Sequence, residues 1–405
     1  MKILYLDAFL HAINPSNTLM PNLINGVGDV TYFGPGYVSD QLLAAGVLKF
    51  AEKAGPYDVV VVGTNIPLIG ASDDDVRAAA RYAKKFTALS SSGELIYRFY
   101  KDVRAHLRSI SASHRFASMI AFDYYSATQD QIDRLEQYEV KLITHNSSFV
   151  RRIEELPEWT NKEKHYQRQP HIFSNAWYDY VNSHPEKIVT ALHFVSDSEF
   201  SFRGLSERKR DISIPGVDYV TRREATSSVK KLGLNINGKS IYNAFRVLNR
   251  LGIDVYANYG FLKFFNASYF YDLMSTKYVY TAAEAFGVPI RKYFEIPASG
   301  AVLLASSCNG FDRIGFKDGI NCVVAGPQQL AAKISDLKRD PEVAQRIATA
   351  GRNLMFEQHS LSARTSQIKA CMEAVLAGHY QGADWIDGKF VMRGAGALSV
   401  NSGAG

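Results

Sequence analysis

The sequence predicts an α/β protein of two domains, each a doubly wound parallel sheet, facing one another across a cleft. Three observations carry this expectation. At 405 residues the chain is too long for one ordinary α/β domain and comfortable for two. Short apolar runs alternate with helical patterns, which implies βαβ units and parallel strand pairing. The alternation then restarts after a basic, loop-like stretch, RGLSERKR at residues 203–210. The expected division is residues 1–200, residues 201–380 and a tail over 381–405.

The elements follow in order. Residues 1–7 (MKILYLD) read as a first strand, and 57–63 (YDVVVVG) is a valine run of the kind buried on both faces of a parallel sheet. Ser72 and the aspartates Asp73, Asp74 and Asp75 precede VRAAARYAKKF, so a capping residue and acids open a helix that ends in bases. Residues 118–122 (SMIAF) read as a strand, 128–138 (TQDQIDRLEQY) as a helix and 140–144 (VKLIT) as the next strand. A polar insertion over 151–170 leads to short strands at 171–174 and 187–192. The second cycle has a strand at 212–214, a turn at Pro215-Gly216, helices at 221–232 and 240–251, and strands at 253–256, within 298–306 and at 321–324. Two helices follow from Gln328, the second opening at Pro341 as an N1 proline does. A helix beyond about residue 350 is expected to cross back to the first domain. Residues 394–405 (GAGALSVNSGAG) offer too little apolar surface to offset chain entropy and are expected to be mobile.

Composition narrows the class. Apolar residues make up 46% and charged residues 21%, near the average for soluble globular proteins. No apolar run approaches the ~20 residues that cross a bilayer, and Asp7 interrupts the first apolar stretch too early for a signal peptide. Cys308, Cys322 and Cys371 lack CxxC spacing, which argues against a disulfide framework or a structural zinc site and favours a cytoplasmic location. The net charge of +6 suits anionic small molecules or peripheral association with an anionic membrane surface. It is too small to argue for nucleic acid, and the 23 tyrosines and 23 phenylalanines are spread through strands and helices as core residues are.

Ligands of doubly wound sheets bind at the carboxyl ends of the strands, so two facing sheets supply two ligand walls. In PIRKYFEIPASG (residues 289–300) a basic pair, an aromatic pair, a lone carboxylate and a glycine follow closely. Glu295 suits a ribose diol, because a carboxylate accepts both hydroxyl protons. Arg291 and Glu295 are also four apart, the spacing of an ordinary helix-surface ion pair worth under ~0.5 kcal/mol. The turn at Gly216 precedes Arg222 and Arg223 at a helix start, a ready anion site, although a glycine also serves any βα turn with an unusual backbone angle. His145 follows VKLIT and so lies at the carboxyl end of a central strand. Asp123, in AFDYYS, occupies a comparable strand end and competes with it for a catalytic role. The loop over 8–18 offers His11, Asn14, Ser16 and Asn17 to hydroxyl groups. The three aspartates at 73–75 open a helix, so no metal and no cofactor is expected, and basic groups and helix ends are left to stabilise a leaving group.

RKYFEIPASGAVLLAS, FKDGINCVV and AGRNLMFEQHSLSART together resemble the C-terminal signature of the glycosyltransferase group 1 superfamily, particularly its CgeB-like branch. Arg291, Phe294, Glu295, Ile296, Ala298, Gly300, Phe316, Gly319, Gly351, Arg352, His359 and Arg364 carry the resemblance, which spans roughly residues 195–370. It implies the GT-B fold of two Rossmann-like domains, with the nucleotide-sugar donor on the C-terminal one and the acceptor, of unidentified chemistry, on the N-terminal one. It further implies that Glu295 holds the ribose hydroxyls, Arg291 faces phosphate or ribose oxygens, and Gly300 lets backbone pack close by. Lys277, in Ser275-Thr276-Lys277, would stabilise the departing diphosphate, and a histidine placed like His145 would lie near the donor sugar. One departure stands out: the superfamily often carries an E-x7-E pair, and Gly287 occupies the place of the first glutamate, with Glu284 at the wrong spacing. A GT-B-fold sugar-nucleotide epimerase and a non-catalytic nucleotide- or sugar-binding protein remain the alternatives.

Overall fold

The computed structural model describes residues 1–10, 15–68, 72–86, 91–119, 127–145, 149–155, 174–216, 220–234, 236–237, 240–253, 255, 258–283 and 287–394. Strands β1 (Lys2–Leu6), β2 (Asp29–Phe33), β3 (Tyr57–Val62), β4 (Ala112–Met119), β5 (Val140–Thr144) and β6 (Ile188–Thr190) form one parallel sheet in the order β2-β1-β3-β4-β5-β6. The valine run of β3 is central because both its faces are covered, and Val59 to Val62 are fully buried. The helices of this half are α1 (Pro15–Asn25), α2 (Asp40–Ala45), α3 (Val47–Ala54), α4 (Asp73–Phe86), α5 (Gly93–His106), α6 (Gln129–Glu136) and α7 (Ala176–Ser183).

A second parallel sheet runs β11-β10-β9-β7-β8, built from β7 (Arg210–Ser213), β8 (Ile236–Asn237), β9 (Thr276–Thr281), β10 (Val302–Ala305) and β11 (Val323–Val324). Its helices are α8 (Val220–Lys230), α9 (Ser240–Arg250), α10 (Tyr259–Ser275), α11 (Lys292–Ala298), α12 (Leu330–Arg339) and α13 (Pro341–His359). After α14 (Leu361–Leu376), the hairpin β12 (Ala383–Ile386) and β13 (Lys389–Met392) follows. In both sheets the second strand lies on one side of the first and the third on the other. Strand order therefore reverses between β1 and β3 and between β7 and β9, and the crevice at each reversal is the natural ligand position.

The chain returns to its beginning. Helix α14 lies against α1 and β4, and Gly26 is close enough to Thr365 that a Cβ there would sit 2.6 Å from the threonine methyl. Backbone bonds join Val195 N to His359 O at 3.0 Å and Leu361 N to Val195 O at 2.8 Å. The Tyr380 hydroxyl donates to Ile188 O at 2.6 Å. One buried apolar cluster consequently contains Ile3, Tyr5 and Val59 of the first sheet, Leu303 of the second, and Cys371 and Met372 of α14.

Three readings need adjustment. Strand β4 begins at Ala112, not at 118, because its first four residues are partly exposed and largely polar, so only its apolar end shows in the sequence. Of residues 253–256 only Ile253 and Val255 are described, and neither is in a strand; α10 opens beyond them at Tyr259, with the Asn258 side chain accepting from the Gly260 and Phe261 amides. The apolar residues of YGFLKFFNASYFYDLMS fall on every side of the helix with only a few polar ones between them, so it lacks the one-sided periodicity that signals a helix. Ser174 is not in a strand, and residues 171–173, 120–126 and the tail beyond 394 lie outside the described residues. Among the described residues no helix is long and apolar enough to cross a membrane.

Candidate functional site

At the reversal point of the second sheet the chain leaves β7 through Gly216, whose φ is +104°. A Cβ built there would sit 3.1 Å from Arg222 Nη1 and 3.2 Å from Lys292 Cε. Glycine is thus required twice over, for a backbone angle that L side chains rarely adopt and for two long cations closing on the backbone. Arg222, on α8, is buried, and its Nη2 donates to Ala282 O at 3.3 Å just past the end of β9. Lys292 opens α11. Bare backbone beside a guanidinium and an ammonium, at the carboxyl ends of β7 and β9, is chemistry suited to phosphate oxygens.

Arg291, the preceding residue, is held between two carboxylates. Its Nε lies 2.9 Å from Glu295 Oε1 and its Nη2 3.1 Å from Glu199 Oε2. The Tyr269 hydroxyl donates to Glu295 Oε2 at 2.8 Å. The i,i+4 pair expected from local spacing does form, but its side chains are only 13% and 6% exposed, so it is a buried pair and not a solvated helix-surface one. Burial lowers the Arg291 pKa, yet Glu295, Glu199 and Tyr269 together hold it above the ordinary guanidinium value. Burial raises Glu199, with Arg291 opposing and Glu295 adding to the shift. Burial and the Glu295 charge push Tyr269 far above a free phenol, so it stays a donor. Glu199 and Tyr269 were not singled out in the sequence. Glu199 closes a Ser196-x-x-Glu199 capping box, its Oε2 accepting from Ser196 N at 3.2 Å; that pattern was the available signal.

On the first sheet, His145 stands at the carboxyl end of β5 and is bonded through Nδ1 to Ala191 O. It stacks on His193, which follows β6, with ring centroids 4.8 Å apart. Both rings line a small pocket together with Leu19, Met20 and Phe194. Burial, only partly opposed by the Ala191 bond, lowers His145 to about 4. Burial, His145, Arg291 and Arg364 depress His193 far below an ordinary imidazole. His193 also lies 6.1 Å from the ring of Phe294 on α11, so this pocket borders the helix that carries Glu295 and begins just after Arg291. At the first sheet's reversal point, buried Asp7 accepts from Tyr5 Oη at 3.1 Å, Ala8 N at 2.8 Å and Asn65 Nδ2 at 3.1 Å. Burial pushes its carboxyl up to about 7 despite those bonds.

Lys277 falls elsewhere than the resemblance implies. Lys277 is the second residue of β9, at the amino end of that strand, and pairs with Asp211 at 3.6 Å. The structure does not bring it to Gly216 and Arg222 at the carboxyl end; Lys292 occupies that position. Gly300 has φ +77°, and a Cβ on it would lie 2.6 Å from Arg208 Nη2 and 2.9 Å from Ser201 O. Its smallness admits the Arg208 fork, which donates to Leu273 O at 3.1 Å and Thr276 O at 2.9 Å, an internal staple of the second half. Asp123, His11, Asn14 and Glu284 lie outside the described residues. The other signature residues are largely packing. Gly351 lets α13 approach Asn321 O, where a Cβ would stand at 2.5 Å. His359 stacks on Trp385 at 4.6 Å, and its Nε2 lies 3.1 Å from Ile314 O. Arg364 lies over the Trp385 ring, and its Nη2 donates to His193 O at 3.4 Å, so the far end of the signature supports the histidine pocket.

Residues 222–370 match the sequence model of a family described as glycosyl transferase-like. No curated protein matches the chain. Solved structures that resemble it include Anabaena Alr3699/HepE in complex with UDP, at 11% identity and a TM-score of 0.48, covering 92% of this chain and 100% of that one. Sucrose-phosphate synthase from Thermosynechococcus elongatus resembles it at 10% identity and a TM-score of 0.48, covering 93% and 100%. A glycosyltransferase from Rickettsia africae does so at 13% identity and a TM-score of 0.46, covering 93% and 98%.

Proposed function

We propose that the protein is a glycosyltransferase that takes a sugar from a nucleoside diphosphate and passes it to a hydroxyl acceptor. The observation that carries this reading is the gathering of Gly216, Arg222 and Lys292 at the reversal point of the second sheet. Arg291 immediately precedes Lys292 at the start of the same short helix, Glu295 follows within it, and all three lie inside the stretch that matches the glycosyl transferase-like family. Arg222 and Lys292 would neutralise the diphosphate as it departs, the task the family resemblance implies for Lys277. Glu295 would receive the ribose hydroxyls. Each of its oxygens already has one partner, and a carboxylate accepts about four bonds, so two acceptor positions remain for a diol beside Arg291 and Tyr269. Donor sugar would then face the His145–His193 pocket, and acceptor would enter from the first sheet.

Thermal shift and calorimetry with a panel of nucleoside diphosphates and their sugars, followed by donor hydrolysis without acceptor, test the reading. Saturable binding of one nucleoside diphosphate together with slow donor hydrolysis is expected. Binding without turnover would favour a non-catalytic sugar-nucleotide receptor, and absence of binding across the panel would sink the proposal.

A further inference from the structure

We infer that the hairpin of α9 and α10 is a docking surface for an anionic lipid bilayer. Helix α10 also carries Tyr269, which reaches Glu295 of the proposed donor site, but the docking surface lies on another side of that helix and does not depend on that site. The two helices connect the edge strand β8 to central β9 and pack through Phe245, whose ring lies 6.2 Å from Phe261, 6.5 Å from Phe264 and 5.1 Å from Phe265. The inward side of α10 is apolar in the usual way, with Leu262 and Leu273 buried. Its outward side is apolar as well. Phe261, Phe264 and Tyr271, spaced three and seven apart on one face, are 39%, 60% and 59% exposed. Val247 on α9 is 53% exposed, and Leu251 and Ile253 just beyond its end are 71% and 45% exposed.

Six of the fifteen exposed large hydrophobics among the described residues therefore fall within 25 residues. Such concentration marks an interaction surface and not the scattered apolar residues of an ordinary exterior. The charges select the occupant. Between residues 229 and 271 the sequence carries Lys230, Lys231, Lys239, Arg246, Arg250 and Lys263 against the single acid Asp254. Arg250 and Lys263 are exposed on the hairpin itself. Phenylalanine, tyrosine and leucine interleaved with bases is the composition of helices that lie in a membrane interface, where aromatic rings sit at headgroup depth and bases meet anionic lipid. With no membrane-crossing helix among the described residues, the contact is peripheral.

Sedimentation of the full chain with vesicles tests the inference. Vesicles of phosphatidylcholine with about one third phosphatidylserine should bind the protein at least ~10-fold more tightly than phosphatidylcholine alone, and salt of about 0.5 M should release it. Joint replacement Leu251→Ser with Phe264→Ser, and separately Arg250→Glu with Lys263→Glu, should each weaken binding ~10-fold or more; the charge pair should leave the melting temperature in place because both side chains are exposed, and the apolar pair should lower it only slightly, through the lost Phe245 contact. In a Phe264→Trp variant, the added emission should shift to shorter wavelength on phosphatidylserine vesicles and be quenched by brominated lipid. Equal binding by wild type and the Leu251/Phe264 variant, or no binding to either vesicle, overturns the proposal. So does self-association that grows with concentration and disappears in the same variant, since the occupant would then be a second copy.

Discussion

His145 and His193 stack with their ring planes within 10° of parallel, one from the end of β5 and the other from just beyond β6. Two imidazolium rings cannot share that position, and burial keeps both neutral, lowering His145 from 6.5 to about 4. Burial likewise depresses His359, with Arg364 adding to the effect. Between pH 6.5 and 4 the unfolded chain binds more protons at these histidines than the folded one, so stability rises with pH across that window and is lost as pH falls. Asp7, raised from 3.8 to about 7, and Glu199, also raised, pull the other way, because the folded state holds their protons. Removing one buried histidine isolates its share. His145→Asn should flatten the dependence of unfolding free energy on pH by about 1.4 kcal/mol per unit between pH 4.5 and 6 relative to wild type. Parallel slopes from urea melts of the two proteins would contradict the assignment.

The Glu199–Arg291–Glu295 arrangement predicts strong coupling. Arg291→Ala leaves two buried carboxylates facing each other and should cost about 3–5 kcal/mol, while Arg291→Ala combined with Glu199→Gln should recover about 1–2 kcal/mol of that loss. A thermodynamic cycle from urea unfolding measures this. Additive effects would show that Glu199 and Arg291 do not act on one another.

Gly216→Ala tests the anion site. The added methyl meets Arg222 and Lys292 at 3.1–3.2 Å and demands a strained backbone angle, so both cations must retreat. Affinity for the best nucleoside diphosphate should fall about 10–100-fold, measured by calorimetry, with a stability loss near 1 kcal/mol. Unchanged affinity in a folded variant would place the phosphates elsewhere.

Glu295→Gln separates ribose from phosphate. Nucleoside diphosphate binding should weaken by about 1–3 kcal/mol, while inorganic pyrophosphate, which has no ribose, should bind as it does to the wild type. Equal losses for both ligands would reduce Glu295 to a support for Arg291.

The sequence made legible what local chemistry determines alone. VKLIT becomes β5 over Val140–Thr144 with the boundaries its apolar run implies, and the acids and bases flanking α4 mark its two ends. What escaped depends on contacts between distant segments. Lys292 was visible only as half of a basic pair; its position over Gly216 arises when α11 packs against β9 and β10. Glu199 reaches Arg291 from 92 positions away. Lys277 was read from its sequence neighbours, and the strand Thr276–Thr281 puts it at the opposite end from the site. Asp7 was taken as the residue that interrupts an apolar run, although that same interruption marks a strand's carboxyl end.

The return of α14 to the first sheet has a consequence for how the protein is made. Ile3 and Tyr5 leave a ribosome early, but the cluster that buries them also includes Ile368, Cys371 and Met372, which emerge near the end of translation. The N-terminal half therefore waits, incompletely covered, until almost the whole chain has been synthesised. At ~5–20 residues per second, the interval between the last strand of the first sheet, ending at Thr190, and the arrival of α14 is on the order of ten seconds or more. During that interval an exposed apolar sheet face is a target for chaperones, and a fragment cut near residue 200 would keep that need permanently.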